Sequence, residues 1–278
     1  MSSIVIPAHN ESNVINLTVT SVLQQTSNKD EVIVIANGCS DNTANIIHEF
    51  EPHISVIEIS VPSKTNALNL GDSQVSSFPR IYMDADIQLT KGSLSKIIDA
   101  LSTGDLLAVS PEPQMDLSNS SWAVKAYYDI WLSLPYCQLG MMGSGVYALS
   151  EEGRQRFDTF PDIIADDGYV RALFKENERG MVKGAVAIVK APTNLHWLLK
   201  IKVRSRLGQM ELAQKYPELL KNEQNDYTTA LSKLIKCPSK WPKLALYLYV
   251  SLISRLLAKR KLGYLSTYQW EKDMSSRK

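Results

Sequence analysis

The sequence predicts an α/β protein: a mostly parallel sheet flanked by helices, followed by a helical carboxyl-terminal extension. Three observations carry this. Short β-branched runs alternate with segments of helical periodicity through the first hundred residues, each run ends in a polar turn, and no Pro-, Gly- or Ser-rich linker interrupts the series.

Ser2 to Ile6 reads as a buried strand, and Val14, Ile15, Leu17, Val22 and Leu23 recur at helical spacing beyond it. His9-Asn10-Glu11-Ser12 is the turn between them. One Asn or Ser would suffice to cap the helix. The surplus polarity marks a loop at the carboxyl end of an early parallel strand, where open α/β sheets bind ligands. "EVIVIANGCSDNT" repeats the plan, with a strand from Glu31 to Ala36 and a helix capped by Ser40 or Asp41. "ISVIEISV" is a third strand, "KTNALNLGDSQV" a helix, "RIYMDAD" a fourth strand and "KGSLSKIIDAL" a helix. Beyond Leu106 the pattern changes. "LLAVSP" is a strand, "SWAVKAYYDIWLSL" an aromatic-rich helix, "MMGSGVYALS" a turn entering a short strand, and "MVKGAVAIVKAP" a further strand.

A chain of 278 residues with 44% hydrophobic and 21% charged residues can bury a large core, which argues against disorder. The net charge of +1 gives no global pull toward nucleic acid. Cys39, Cys137 and Cys237 lack metal or redox spacing, which suits reduced thiols inside a cell. Met1 runs directly into the first strand, with no room for a signal peptide, so a cytoplasmic location is expected.

The chemistry-bearing residues are carboxylates. Asp84 and Asp86 follow a strand end with only Ala85 between them. In a continuing strand they would share a face and repel, which a hard divalent cation would relieve. Mg²⁺ takes one or two protein carboxylates and fills its other positions with water and substrate phosphates. Asp166 and Asp167 stand immediately before a helix, where capping explains one Asp and leaves the other over. The Gly140 to Gly145 loop supplies turns and close backbone approach; it lacks the Lys-Ser/Thr ending of a phosphate loop.

In the last third, Leu244 to Ala258 is apolar, is interrupted by Arg255, and falls short of the roughly 20 residues that span a bilayer. It reads as either a core helix or an interfacial helix with Trp241, Tyr247 and Tyr249 at headgroup level. Its basic flanks, Lys236, Lys240, Lys243, Lys259, Arg260 and Lys261, favour peripheral attachment to an anionic membrane surface.

"VIPAHNES", "VIVIANGCSDNT", "PSKTNALNLG" and "YMDADIQLT", in that order, resemble family 2 of the glycosyltransferases, and the likeness continues more loosely through "MGSGVYALS" and "IIADDGYVRALF". The resemblance implies the GT-A fold and an inverting transfer from a nucleotide-diphosphate sugar, a UDP-sugar foremost, to a hydroxyl acceptor. That acceptor would be lipid-linked or part of a growing glycan or polysaccharide. It implies a catalytic domain over residues 1–200, with a nucleotide-sugar half at 1–110 and an acceptor half at 111–200, and a basic helical extension at 201–278.

By the same resemblance Pro7, Ala8, Asn10 and Glu11 shape the base pocket. Asn37 replaces an acid common in the family, Asp41 keeps the later acidic position, and Lys64 reaches the phosphates or ribose. Asp84 and Ala85 meet the donor nucleotide. Asp84 and Asp86 hold Mg²⁺ or Mn²⁺, with His196 as a third ligand. Asp167 aligns with the general base and Asp166 stands where the family has Glu. Gly143 and Ser144 lie beneath donor sugar and acceptor, and Arg204 and Arg206 are the available pyrophosphate clamps. The Gln-x-x-Arg-Trp signature of processive relatives is absent, which disfavours processive polymerisation.

Two other functions compete. A sugar-phosphate nucleotidyltransferase would want a Gly- and Arg-rich loop after the first strand, and "AHNES" has neither. An inactive, membrane-associated scaffold has no need of Asp84, Asp86 and Asp167. A working enzyme is expected on the cytoplasmic side, peripheral at the inner face of the cell membrane.

Overall fold

The computed structural model describes residues 1–134, 137, 141, 143–222, 237–265 and 275. Gly140 of the glycine loop and Lys236 of the basic flank lie outside them. The first half alternates strictly: β1 (Ser3–Ala8), α1 (Ile15–Leu23), β2 (Glu31–Asn37), α2 (Thr43–His48), β3 (Ser55–Ile59), α3 (Lys64–Ser73) and β4 (Arg80–Met83). The second half is mixed: β5 (Ile87–Leu89), α4 (Ser93–Ser102), β6 (Ala108–Asp116), α5 (Trp122–Trp131), β7 (Val146–Leu149), α6 (Glu151–Arg154), α7 (Asp166–Ala172) and β8 (Arg179–Lys190). Two long helices follow, α8 (Leu195–Lys215) and α9 (Trp241–Leu262).

The eight strands form one sheet in the order β3-β2-β1-β4-β7-β6-β8-β5. β1 pairs in parallel with β2 and β4, and β2 with β3, so the first four strands are the parallel half expected from the sequence. β7 then runs antiparallel between β4 and β6, β8 pairs parallel to β6, and β5 pairs antiparallel to β8. Strand β5 was not anticipated. It is three residues long, and its partner lies about a hundred residues downstream, so no local pattern announces it.

Both faces of the parallel half are covered, which is why its strands read as unbroken apolar runs. Residues alternate between the two sides. Ile4 and Ile6 join Val19, Val34 and Leu94 in the core on one face, while Val5, Ile33 and Ile35 join Leu68, Tyr82 and Phe174 on the other. Gly71 sets the depth of α3, because a Cβ there would stand 2.6 Å from Val5 Cγ1. Close approach of that helix brings its amino-terminal residue, Lys64, to the strand ends.

Asp72 locks the other end of α3. Its Oδ1 accepts from Arg80 Nη1 at 2.8 Å and from the Tyr82 hydroxyl, while Arg154 reaches Oδ2 from Nε at 3.0 Å and Nη2 at 2.7 Å. Burial alone pushes this carboxyl up, but the hydrogen bonds from Arg154, Tyr82 and Arg80 outweigh it and hold the group below the usual range.

At the carboxyl terminus, α9 packs on α5 and α8. Of the two readings open for this helix, each describes one side. Leu244, Val250, Ser254 and Ala258 are buried, whereas Trp241, Leu248, Tyr249, Leu252 and Leu256 are exposed. Tyr247 corrects the headgroup expectation: its ring stacks on Tyr127 at 5.2 Å because it falls on the packed side. No helix among the described residues is long and apolar enough to cross a membrane. The division expected at residue 200 falls inside α8, an unbroken helix of 21 residues.

Removing the Asp72 carboxylate leaves two arginines without their anion. Asp72→Ala is expected to cost about 3–5 kcal/mol, the range for breaking a buried ion pair from one side. A depressed carboxyl stabilises above its unfolded value of about 3.9, and that contribution is lost as pH falls through the lower folded value. Denaturant melts of wild type and variant should therefore differ at neutral pH and converge in acid.

Candidate active site

The carboxyl ends of β1, β2 and β4 open on one side of the sheet, and three loops are tied together there. Asn10 takes a left-handed backbone, φ 52°, which turns its side chain across to the second loop. Its Oδ1 accepts from the amides of Ser40 at 2.7 Å and Asp41 at 3.3 Å. His9 Nδ1 meets the Asn37 carbonyl at 2.6 Å, and the Glu11 amide donates to Thr43 Oγ1 at 2.7 Å. Asp41 accepts from the Thr43 amide at 3.0 Å and the Ser12 amide at 3.2 Å. Burial pushes its carboxyl up, and the hydrogen bond from the Thr43 hydroxyl, followed by those from the Thr43 and Ser12 amides, more than reverses the effect. Asp41 thus serves the start of α2, although Asn42 is the capping position and makes no side-chain cap.

Asn37 is 4% exposed and accepts the Ser63 amide on Oδ1 at 2.8 Å, joining β2 to the start of α3. Its amide nitrogen has no partner among the described residues. An Asp at this position would offer a second acceptor; Asn37 offers a donor instead. Asn69, by contrast, spends both ends of its amide on the Phe160 backbone and is structural.

Deeper in the crevice, Lys64 leaves the first turn of α3, whose start is capped by Ser63. Its Nζ lies 2.8 Å from Asp84 Oδ1 and 3.0 Å from Asp166 Oδ1. Burial pulls the ammonium's proton affinity down, yet Asp166, Asp84 and Asp167 together raise it, so Lys64 is firmly cationic. Asp166 is 2% exposed, and burial together with its neighbours Asp167 and Asp84 raises its carboxyl to about 6 against the pull of Lys64. Its second oxygen, Oδ2, is buried with no partner. Asp167 is exposed on the same cleft and accepts its neighbour's amide, Gly168, at 2.8 Å.

Asp84 and Asp86 occupy a tight turn between β4 and β5, with the Ile87 amide reaching the Asp84 carbonyl at 3.3 Å. They do not share a strand face, as a continuing strand would have required; β4 ends at Met83 and the chain leaves to pair with β8. The turn is anchored on both sides. The Asp84 amide donates to the Gly145 carbonyl at 2.8 Å, and Thr18 Oγ1 donates to the carbonyl of buried Ala85 at 2.8 Å.

The cleft over this turn is lined by Pro7, Lys64, Asp84, Tyr147, Asp166 and Asp167, with Gly143, Ser144 and Gly145 along one wall. Gly143 has φ +70°, and a Cβ there would strike the Trp131 ring at 2.4 Å. Ser144 Oγ is turned back onto the Val146 carbonyl at 2.8 Å.

Asp84 Oδ2 has no partner among the described residues, and its side chain is 41% exposed. It offers a hard oxygen of the kind a divalent cation takes, whereas Asp86, two residues on in the same turn, is not among the residues lining the cleft. His196 is not brought to this pair. It lies exposed at the start of α8 with its ring against Trp197, and no group of three His, Cys, Asp or Glu among the described residues forms a metal cage. Arg204 and Arg206 also stand away from the cleft lining; Arg206 Nη1 donates to Gln209 Oε1 at 2.9 Å.

Tyr147 and Tyr82 were not singled out from the sequence. Their rings stack at 5.0 Å beneath the cleft, and the Tyr147 hydroxyl is buried without a partner. No motif marks them; the available signal was an aromatic on the strand that follows the glycine turn.

This fold is shared with GT-A glycosyltransferases. A mannosyltransferase from Pyrobaculum calidifontis, crystallised with GDP-mannose and Mn²⁺, superposes with a TM-score of 0.62 at 16% identity, over 97% of this chain and 76% of that one. Staphylococcus aureus TarS 1-349 with UDP-GlcNAc gives 0.56 at 12% identity, over 95% and 83%. The family description "Glycosyl transferase family 2" matches residues 3–141, half of the 278 residues, and the chain belongs to that family. The poly-β-1,6-N-acetyl-D-glucosamine synthase of Staphylococcus epidermidis is 38% identical over 87 residues, covering 30% of this chain. The chain spans about a fifth of that relative's length.

Because the Tyr147 hydroxyl has no hydrogen-bond partner among the described residues, Tyr147→Phe should melt at or above the wild-type temperature, read by scanning calorimetry.

Proposed function

We propose that this chain is an inverting glycosyltransferase that moves a sugar from a nucleotide-diphosphate donor, a UDP-sugar foremost, to a hydroxyl acceptor in glycan or polysaccharide synthesis. One observation carries the reading. A half-buried lysine lies between Asp84 and Asp166 at the ligand end of the parallel strands, with an Asp166 carboxylate oxygen beside it that has no partner among the described residues. The relatives support the donor class: one neighbour holds GDP-mannose with Mn²⁺ and another holds UDP-GlcNAc.

The knitted loops bearing Pro7, Ala8, Asn10, Glu11, Asn37 and Asp41 receive the base and ribose, and Lys64 and the Asp84–Ala85 turn face the diphosphate. Asp84 and Asp86 would hold Mg²⁺ or Mn²⁺, which when bound supplies positive charge to the departing diphosphate. Gly143 and Ser144 form the wall against which donor sugar and acceptor sit. The acceptor hydroxyl enters from the exposed side of the cleft, where Asp167 takes its proton as the sugar carbon is attacked. The acceptor is lipid-linked, and the enzyme works peripherally at the inner face of the membrane. The domain division that fits this reading keeps the sheet as the catalytic unit and treats α8 with α9 as its helical extension.

A second assignment of the base rests on a specific observation. Asp166 has a carboxyl raised to about 6 and a free Oδ2 in the same cleft, the properties of a tuned proton acceptor.

Asp84→Asn and chelation should each abolish most sugar transfer while leaving the melting temperature near that of wild type. Asp167→Asn should lower turnover by about 10²-fold or more with donor affinity unchanged, the scale expected for a lost general base. A larger loss for Asp166→Asn, together with disappearance of an activity limb near pH 6, would assign the proton to Asp166 instead. Activity that survives both chelation and Asp84→Asn would contradict a metal-assisted transfer.

A further inference from the structure

The exposed side of α9 is an apolar stripe on a helix that carries no acid. Trp241, Ala245, Leu248, Tyr249, Leu252 and Leu256 recur at spacings of three and four and therefore share one face. The four largest residues in its middle, Leu248, Tyr249, Leu252 and Leu256, are 49–59% exposed. The opposite side is already committed: Leu244 and Val250 join the aromatic cluster of α5, Ala258 packs with Val203 and Leu207 of α8, and Lys243 pairs with Asp129 at 2.8 Å. The stripe is thus outside the packing of the described residues.

Its charges point to the occupant. The helix contains Lys243, Arg255, Lys259, Arg260 and Lys261 and no Asp or Glu. Arg255, Lys259 and Arg260 are exposed and have no ion-pair partner among the described residues. Arg255 and Lys259 fall at the edge and end of the stripe itself, where aliphatic stems can lie along apolar surface while the charged heads reach outward. With its inner side taken up by α5 and α8, the outward side of the helix presents an apolar stripe, cations alone and an aromatic at its start, a set that suits the plane of a lipid interface.

We propose that α9 docks this protein on an anionic lipid bilayer, with Leu248, Tyr249, Leu252 and Leu256 in the headgroup and acyl boundary and Arg255, Lys259 and Arg260 on lipid phosphates. Tyr247 takes no part, since it is stacked inside against Tyr127. The docking stands on the helix alone and does not require glycosyl transfer. Together with that reading it also places the acceptor. α5 packs against α9, and the Trp131 ring of α5 stands against Gly143 in the cleft wall. A lipid-linked hydroxyl held at the bilayer surface would approach on that side.

The test is flotation of the full chain with phosphatidylcholine vesicles and with vesicles containing phosphatidylglycerol, at low salt and at about 1 M, where the screening length is about 3 Å. Melting temperature and UDP titration serve as controls. Wild type should float with the anionic vesicles and lose most of that binding in high salt. Leu252→Glu/Leu256→Glu should lose about tenfold or more of its partition, as expected when a charge replaces an inserted apolar group. Arg255→Gln/Lys259→Gln/Arg260→Gln should lose about 10- to 100-fold on anionic vesicles. Both variants should keep wild-type melting and UDP binding. Failure of folded wild type to float at low salt overturns the proposal, as does a Leu252→Glu/Leu256→Glu variant that floats like wild type. A dimer in light scattering that this same variant dissociates would also overturn it, by showing that a second copy covers the stripe. Loss of UDP binding by wild type with flotation intact would count against the donor reading and leave the docking standing.

Discussion

The site depends on one ammonium group among three carboxylates. Lys64 contacts Asp84 and Asp166 directly, and Asp167 adds its charge from the cleft rim. Without a cation, the turn after β4 and the start of α7 would each bring a carboxylate into the same half-buried space, and their repulsion would hold the elements apart. The pairing therefore fixes the distance between a strand end and a helix start 83 residues apart in sequence. It also leaves a polarised cleft, with one wall cationic and the floor anionic. An anionic ligand and a divalent cation can both be accommodated there.

Everything around that pair serves to place it. Gly71 lets α3 sink onto β1 and β2, and Asp72 secures its far end to β4 and α6, so Lys64 is aimed by a helix fixed at both ends. The Gly145 carbonyl holds the Asp84 amide, so the antiparallel β7 sets the floor on which the carboxylates stand. That strand brings the glycine turn and Tyr147 under the cleft, next to Asp166.

Much of this was legible in the sequence, and the rest failed for local reasons. The parallel half followed from periodicity because each strand was continuous and each turn polar. The four ordered segments placed Asn10, Asn37, Lys64 and Asp84 on the same side of the sheet, and the structure puts them there. What sequence could not give was long-range pairing. Strand β5 is too short to show a pattern, and the Asp84–Asp86 turn looked like strand because Met83 and Ile87 flank it with apolar residues. His196 follows a strand as expected, but it lies exposed at the start of α8 against Trp197 and joins no metal-holding group among the described residues. Tyr147 escaped notice because an aromatic in a strand is ordinary until its hydroxyl is found buried without a partner.

The α9 helix shows the same division. Its length and charge were readable, but which residues pack and which face outward was settled by α5 and α8, whose positions depend on the whole sheet. Tyr247 and Tyr249 are two residues apart, and the fold stacks one, half-buried, on Tyr127 and exposes the other.

The pairing of Lys64 with Asp166 is most directly tested by a double-mutant cycle on unfolding free energy with Lys64→Met, Asp166→Asn and the combined variant. If the ion pair organises the site, the single Lys64→Met change leaves the buried Asp166 carboxylate uncompensated and costs about 2–3 kcal/mol, below the fully buried range because the lysine is partly exposed, while the double variant recovers a large part of that loss. Strictly additive effects would show that the two residues do not depend on each other, and would contradict the role given to Lys64.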